Sequence, residues 1–136
     1  MKVAIVLFPG TNCEQDTKYA FELLGCQTQI IWHKESEINA DLIVLPGGFS
    51  YGDYLRTAAI AKFSPAMSAV VKHAQKGGYV LGICNGFQML CELKLLAGAM
   101  RRNENLSFIS KYHYLKVVSN ANKFLSNLSV GEIVNI

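Results

Sequence analysis

One cysteine stands two positions away from a glycine on each side, in the segment Gly82-Ile83-Cys84-Asn85-Gly86. The run before it, Tyr79 to Ile83, is short and apolar, which is typical of a buried strand, and Asn85 to Leu96 carry apolar residues at helical spacing. A nucleophile at a sharp strand-to-helix turn needs small neighbours because the turn is tight and strained. The segment therefore predicts an elbow with Cys84 at its tip.

The start of a helix also affects the chemistry of such a thiol. Unpaired N–H groups and the positive end of the helix dipole stabilise negative charge nearby, which favours the thiolate as a nucleophile. Read alone, the five residues are equally compatible with a buried structural cysteine between two turn glycines.

Strand-like and helical segments alternate up to Gly98. The predicted strands are 2–8, 27–32, 41–45 and 79–83, and the predicted helices are 14–24, 64–76 and 85–96, with Asn12 or Thr11 capping the first helix and Ser64 the second. This order predicts an α/β fold: a parallel sheet with helices on both faces. The 136 residues suffice for one core, so residues 1–136 are predicted to be a single domain.

Three segments stop abruptly after predicted strands: Phe8-Pro9-Gly10, Pro46-Gly47-Gly48 and Cys84. In parallel sheets the chemistry gathers beyond the carboxyl ends of the strands, so these segments are expected to meet there. After Gly98 the pattern changes, and Phe108–Ile109, Tyr112–Val118 and Glu132–Ile136 predict antiparallel strands.

Composition excludes several classes of function. The formal charge of +3 is scattered, and its densest basic spot is the pair Arg101-Arg102, so no nucleic-acid partner is expected. No apolar run approaches the roughly 18 residues that span a bilayer, and no signal peptide is evident, so neither a membrane partner nor secretion is expected. The four cysteines form no CxxC pair, which predicts reduced thiols, a cytoplasmic location and no metal site. Cys26 and Cys91 are predicted core residues.

The glycine pair Gly47-Gly48 lies in the second informative segment. Attack of a thiolate on an amide carbonyl creates an oxyanion, and one lost hydrogen-bond donor costs on the order of 3 kcal/mol. The backbone N–H groups of Gly48 and Asn85 are predicted to form a two-donor oxyanion hole, because glycines allow close approach. An ordinary strand-to-loop turn is the alternative. The segment matches neither a Walker loop nor a dinucleotide fingerprint.

The two segments together are familiar. GICNGFQ at 82–88 with Pro46-Gly47-Gly48 upstream resembles the class I glutamine amidotransferases. The strings FPGTNC at 8–13, PGGFSYGDYLR at 46–56 and GICNGFQMLCE at 82–92 resemble, within that class, the glutaminase subunits of phosphoribosylformylglycinamidine synthase. The similarity runs from the first strand to about residue 118, and it implies a flavodoxin-like sheet.

The resemblance implies a reaction. Cys84 attacks the side-chain amide of glutamine, releases ammonia and leaves a glutamyl thioester that water hydrolyses. Gly47, Gly48 and Gln88 then bind the substrate glutamine. The ammonia passes to a large synthetase subunit, in a complex with a small accessory subunit, and serves the amidination of formylglycinamide ribonucleotide in purine synthesis. ATP and Mg are used by that partner, and no cofactor is implied for this subunit.

The family's catalytic base and its orienting carboxylate come from a His-x-Glu motif near the C-terminus. The histidines here are His33, His73 and His113, and only His33 is followed two residues later by an acid, Glu35. That match lies far ahead of the nucleophile, so a polar loop entering a helix is the favoured interpretation. The triad His and Glu are therefore expected to be absent, the C-terminal segment to be missing, and these residues alone to show little turnover.

Two other classes of protein stay open. A non-catalytic docking module of the same fold is favoured by the missing base and disfavoured by the intact elbow. A cysteine-elbow hydrolase or redox-sensing protein is disfavoured by Gln88 and PGGFSYGD, and failure of glutamine to protect Cys84 from alkylation would favour it. Oligomeric state, and whether the oxyanion hole forms before a partner docks, are not encoded in any recognisable pattern.

Overall fold

The computed structural model describes residues 1–136 as two compact units, Met1–Met100 and Arg101–Ile136. The first unit contains four strands: β1 (Lys2–Leu7), β2 (Gln27–Trp32), β3 (Leu42–Leu45) and β4 (Tyr79–Gly82). All pair in parallel, in the order β2-β1-β3-β4. The predicted parallel sheet is confirmed. Since β1 is flanked by β2 and β3, the chain reverses its direction of winding at β1, and ligands of such sheets bind at a reversal of this kind.

Helices cover both faces of this sheet, as predicted. They are α1 (Glu14–Leu23), α2 (Pro65–Gln75) and α3 (Asn85–Glu92), with short 3-10 turns at Ser50–Asp53 and Ala61–Phe63. On one face, α2 and α3 pack with Ala4, Val6 and Ile43 around Met67 and Met89. On the other, Phe21 of α1 packs against a cluster formed by Val3, Ile5, Leu42 and Val44.

The central strands are apolar throughout because both of their faces are buried. Residues 3–6 of β1 are fully buried, and so are Ile43, Val44 and Leu45 of β3. A strand buried on both faces reads as a continuous apolar run rather than an alternating one. At about 25 cal/mol per Å² of buried apolar surface, these strands contribute strongly to the stability of the unit.

Two predicted details of the helices are wrong, and a third is confirmed in position only. Cys13 occupies the N-cap of α1 without a side-chain cap, and Thr11 instead accepts the Phe8 N–H through Oγ1 at 3.1 Å. Ser64 holds the N-cap position of α2, but its hydroxyl donates to the Ala61 carbonyl at 2.8 Å. The elbow helix ends at Glu92 rather than Leu96, because Lys94 adopts a left-handed φ of 61°.

The second unit contains one antiparallel pair, β5 (Tyr114–Lys116) and β6 (Ile133–Asn135), with Leu115 opposite Val134. The predicted antiparallel pairing is confirmed, although both strands are shorter than expected. The prediction of a strand at Phe108–Ile109 is wrong: Phe108 is 91% exposed, so no apolar face is buried there. That residues 1–136 form a single domain stays a prediction. None of the helices is both long enough and apolar enough to cross a membrane.

Candidate active site at the carboxyl edge of the sheet

Cys84 lies at the tip of a strained elbow between β4 and α3. Its backbone has φ 51° and ψ −109°, its side chain is exposed, and α3 begins at the next residue. A non-glycine residue in such a region costs on the order of 1–3 kcal/mol and persists only where the surroundings impose it. The predicted elbow is confirmed, and its strain places the thiol at the surface at the start of a helix.

The two flanking glycines are needed because three backbone segments touch at the elbow. A Cβ on Gly86 would overlap the carbonyl of Leu45 at the end of β3, and a Cβ on Gly82 would lie 2.6 Å from the Gly86 carbonyl oxygen. Contacts below 3.0 Å require the backbone to shift. The pattern of small residues therefore reflects close approach of β3, β4 and α3.

The three loops that were expected to meet do meet. The Gly10 carbonyl accepts the Phe49 N–H at 2.8 Å, and Thr11 forms an isolated antiparallel bridge with Gly48. The Leu45 carbonyl accepts the Ile83 N–H at 3.0 Å. The loops after β1, β3 and β4 thus form one continuous edge, with Cys84 on it.

Gly47 lies directly beside Cys84. A Cβ on Gly47 would be 3.5 Å from the Cβ of Cys84 and 3.4 Å from the Sγ of Cys13. Gly48 has φ 146°, and a Cβ there would lie 2.8 Å from the Cα of Thr11. Both glycines keep the backbone next to Cys84 free of side chains. The N–H groups of Gly48 and Asn85 donate to no other group of the chain, as an oxyanion hole requires.

The Asn85 side chain joins this loop to the elbow helix. It is 1% exposed, and its Oδ1 accepts the Ser50 N–H at 3.1 Å. Its Nδ2 donates to Gln88 Oε1 at 3.0 Å and, more weakly, to Asp53 Oδ1 at 3.5 Å. Asn85 therefore fixes the loop after β3 relative to α3. It also orients the side-chain amide of Gln88, whose oxygen faces Asn85 and whose NH₂ group faces away.

Gln88 lies one turn after Cys84, and its N–H donates to the Cys84 carbonyl at 3.2 Å. Because Asn85 occupies its side-chain oxygen, the NH₂ group of Gln88 is left to donate elsewhere. Burial raises the pKa of the nearby Asp53 carboxyl, and a hydrogen bond from the Ala58 backbone partly offsets this. The arrangement leaves a hydrogen-bond donor on α3, one helical turn after Cys84.

Arg56 pairs with α3 rather than with the nearby Asp53. Its guanidinium donates two hydrogen bonds of 2.8 Å to Glu92 at the end of α3, and Lys62 lies 3.4 Å from the same carboxylate. The hydrogen bond from Arg56 lowers the pKa of Glu92. Arg56 is largely exposed, so this pair contributes little stability, but it is a second link between the loop and α3.

None of the three histidines makes a hydrogen bond or ring contact with Cys84. The Nδ1 of His33 lies 2.8 Å from the Tyr51 hydroxyl, and its ring lies against Phe8 and Trp32. His73 lies within α2, and the His113 backbone pairs with Ile136. The sequence match at His33 therefore marks a buried contact of the glycine loop, and Glu35 is exposed.

Two features of the site were not predicted from the sequence. Cys13 is a second thiol beside Gly47, and the string FPGTNC after β1 was the signal for it. The second feature is the buried side chain of Asn85. Its signal in the sequence was an asparagine among the apolar residues of the elbow helix. No group of three or more His, Cys, Asp or Glu side chains is arranged to hold a metal ion.

Comparisons with known proteins agree with this geometry. The CobB/CobQ-like glutamine amidotransferase domain matches residues 1–135. Phosphoribosylformylglycinamidine synthase subunit PurQ of Campylobacter jejuni is 68% identical over 136 residues, which are 100% of this chain and 61% of the relative. The corresponding subunit of Sulfurimonas denitrificans is 61% identical over 138 aligned residues, 100% of this chain and 62% of the relative.

A solved structure is similar as well. The structure of PurLQS from Thermotoga maritima matches with a TM-score of 0.89 and 38% identity, over 99% of this chain and 64% of that chain. The chain thus spans less than two thirds of the length of these relatives. The resemblance to the glutaminase subunits of phosphoribosylformylglycinamidine synthase is confirmed. On the match over residues 1–135 and the elbow geometry, the chain belongs to the CobB/CobQ-like glutamine amidotransferase family.

Proposed function

We propose that this chain is the part of a glutaminase subunit of phosphoribosylformylglycinamidine synthase that carries the nucleophile. The observation that supports the proposal most is the Cys84 elbow: an exposed thiol at φ 51°, at the first turn of α3 and beside Gly47. The names of the relatives supply the reaction class, since they are subunits of that synthase. Substrate, activity and partners are all part of the proposal.

In the proposed chemistry the Cys84 thiolate attacks the side-chain carbonyl carbon of glutamine. A carbon–sulfur bond forms, and the carbonyl electron pair moves onto oxygen. The Gly48 and Asn85 N–H groups, which are otherwise unpaired, stabilise that oxyanion. Collapse breaks the carbon–nitrogen bond, and the nitrogen leaves as ammonia after taking up a proton. Water then hydrolyses the thioester to glutamate.

Substrate binding is proposed for Gly47, Gly48 and Gln88. The two glycines leave the backbone accessible next to the thiol. Gln88 carries a free NH₂ group because its oxygen is held by Asn85, and such a donor suits the carbonyl or carboxylate oxygens of a glutamine. This assignment predicts that Gln88→Leu raises the glutamine concentration needed for half-maximal reaction of Cys84, whereas Phe87→Leu on an exposed face of α3 does not.

The proposed partners are a large synthetase subunit and a small accessory subunit, as the PurLQS structure of the relative suggests. ATP and Mg belong to the amidination step of the synthetase and not to this chain. The product that this chain supplies to the amidination step is the ammonia released at Cys84. We place the reaction in the cytoplasm, since all four cysteines of the chain are free thiols.

A non-catalytic docking module of the same fold is the second candidate. The observation that favours it is the absence of any histidine in contact with Cys84, since a thiol nucleophile of this kind works with an adjacent base. The strained elbow counts against it, because a module that only docks gains nothing from 1–3 kcal/mol of backbone strain at an exposed thiol.

Ammonia release separates the two candidates. The gene product that contains these residues is mixed with the synthetase subunits and glutamine, and ammonia is measured for wild type, Cys84→Ser and the matched control Cys26→Ser. The proposal expects turnover that is lost in Cys84→Ser and kept in Cys26→Ser. Complex formation without any glutamine-dependent ammonia in the wild type would establish the docking module instead.

A further inference from the structure

His33 has a buried imidazole that makes no hydrogen bond with the Cys84 elbow. It is 7% exposed, and its ring lies between three aromatic side chains: Phe8, with ring centroids 6.1 Å apart, Trp32 at 4.4 Å and Tyr51 at 5.6 Å. Its single side-chain hydrogen bond joins Nδ1 to the Tyr51 hydroxyl at 2.8 Å. A buried polar group with one well-formed partner is costly to disturb.

The backbone of His33 is anchored on both sides. Its N–H donates to the Leu7 carbonyl at the end of β1 at 2.9 Å, and its carbonyl accepts the Ala66 N–H in the first turn of α2 at 3.0 Å. These bonds fix the residue to the sheet and to a helix of the core. The imidazole is therefore a rigid point from which a loop can be held.

Tyr51 needs such support. It is a non-glycine residue with φ 53° and ψ 29°, a conformation that costs about 1–2 kcal/mol. It follows Gly48 by three residues, and its N–H donates to the Pro9 carbonyl at 2.6 Å. The 47–53 loop thus depends on bonds made by the backbone and the hydroxyl of Tyr51 for its path along the edge of the sheet.

The protonation of both side chains suits this bond. Burial lowers the pKa of His33, with a smaller contribution from Lys34, and burial raises the pKa of Tyr51. At neutral pH the pair is therefore uncharged, and one neutral imidazole and one hydroxyl form a single hydrogen bond whichever tautomer is present.

We propose that His33 is a positioning residue of this site. Through Tyr51 it holds the 47–53 loop in the conformation that leaves the Gly48 N–H unpaired, one residue after the Gly47 that lies beside Cys84. The inference rests on the proposed function, because it gives the Gly48 N–H its role in glutamine turnover. His33, which the His-x-Glu pattern of the sequence pointed to, would then support the loop and not act as the catalytic base.

The first test measures backbone hydrogen exchange in Tyr51→Phe, which removes the hydroxyl and keeps the ring. Tyr19→Phe on exposed α1 is the matched control. Loss of one hydrogen bond of about 1 kcal/mol is expected to speed exchange of the 47–53 amides about fivefold, with α1 unchanged. Exchange of 47–53 at the wild-type rate in Tyr51→Phe would overturn the proposal.

The second test asks whether the loop matters at Cys84. Two alkylating agents are compared: a chloromethyl ketone built on the glutamine skeleton, and iodoacetamide, which lacks the amino-acid end. In both reactions sulfur bonds to carbon, the halide leaves and the thiol proton goes to solvent. Tyr51→Phe is expected to slow the ketone about fivefold and to leave iodoacetamide unchanged. Equal slowing of both reagents would indicate general damage and contradict a positioning role.

The outcomes separate this inference from the function it rests on. If the wild type shows no preference for the glutamine-like ketone over iodoacetamide, the proposed function fails, whatever the exchange data show. If the preference exists and Tyr51→Phe keeps it, positioning by His33 fails alone. His33→Asn, which retains a polar atom near the position of Nδ1, is expected to keep more of the preference than His33→Leu.

Discussion

The side-chain oxygen of Asn85 accepts the backbone N–H of Ser50 at 3.1 Å, with both residues buried. This bond joins the residue after Cys84 to the loop after β3. It therefore fixes two backbone donors, at Gly48 and at Asn85 itself, relative to one another. The proposed oxyanion hole, with its two donors on separate loops, would depend on a link of this kind, because such donors contribute only if they need no rearrangement.

Replacing Asn85 by alanine is expected to destabilise the chain by about 1–3 kcal/mol, because the buried Ser50 N–H loses its acceptor. The matched control is Asn39→Ala, since Asn39 is exposed and its side chain makes no hydrogen bond. Urea unfolding of both variants measures the effect. Equal stabilities for Asn85→Ala and Asn39→Ala would show that the Ser50 bond does not hold the loop.

Replacing Gly86 by alanine is expected to be far more damaging than the usual cost of an added methyl group, because the new Cβ would overlap the Leu45 carbonyl. We expect a loss of more than about 3 kcal/mol or failure to fold, as overpacking against backbone cannot be relieved by a rotamer change. Gly25→Ala is the control. It has φ 74° and open space around it, so it reports conformational strain alone.

The two glycine variants are compared by thermal and urea unfolding. A Gly86→Ala chain as stable as Gly25→Ala would mean that β3 and α3 do not approach as closely as the structure indicates, and the explanation for the small residues at the elbow would be wrong.

Cys84 is expected to be a position where glycine is more stable than alanine. Both replacements remove the thiol, but alanine keeps a Cβ at φ 51°, which costs on the order of 1–3 kcal/mol. The greater freedom of glycine in the unfolded chain offsets about 0.4–1 kcal/mol of this. Urea unfolding should therefore rank Cys84→Gly above Cys84→Ala. The opposite ranking would show that the elbow is not strained.

Stability is expected to fall in acid because of His33. Burial lowers its pKa in the folded chain, whereas the unfolded chain titrates near the ordinary value of about 6.5. Below that value the unfolded state binds more protons than the native state, so the free energy of unfolding decreases. The contribution of His33 is complete above about pH 6.5 and is lost as the pH falls through the lowered folded value.

Urea unfolding across this pH range measures the effect in the wild type, in His33→Asn and in the control His113→Asn, whose side chain is exposed. The acid-side slope should flatten in His33→Asn only. Identical slopes in all three proteins would show that His33 is not held in its neutral form by the fold.

The fold was largely predictable because its signals are local and agree with one another. β2 was predicted at the bounds that the structure shows, since its residues are β-prone and Gly25 ends the helix before it. Gly25 and Gly77 mark helix ends by their positive φ. That the loops after β1, β3 and β4 meet near Cys84 was predicted from a general property of parallel sheets, because their carboxyl ends lie at one edge.

The parts that were missed depend on tertiary contacts. Thr11 was expected to cap α1, but its hydroxyl turns back to the Phe8 N–H within the turn that follows β1. Arg56 lies three residues from Asp53, but it pairs with Glu92, which is distant in sequence. The buried hydrogen bonds of Asn85 and His33 also join distant segments, and residue spacing does not encode such pairs.

The central claim is that Cys84 is the nucleophile for glutamine, and protection from alkylation tests it most directly. The protein is treated with iodoacetamide with and without glutamine, and peptide mass spectrometry follows Cys84, with Cys26 and Cys91 as internal controls. The account predicts that glutamine slows labelling of Cys84 and leaves that of Cys26 and Cys91 unchanged. Labelling of Cys84 that is indifferent to saturating glutamine would contradict it and favour a cysteine-elbow protein of another class.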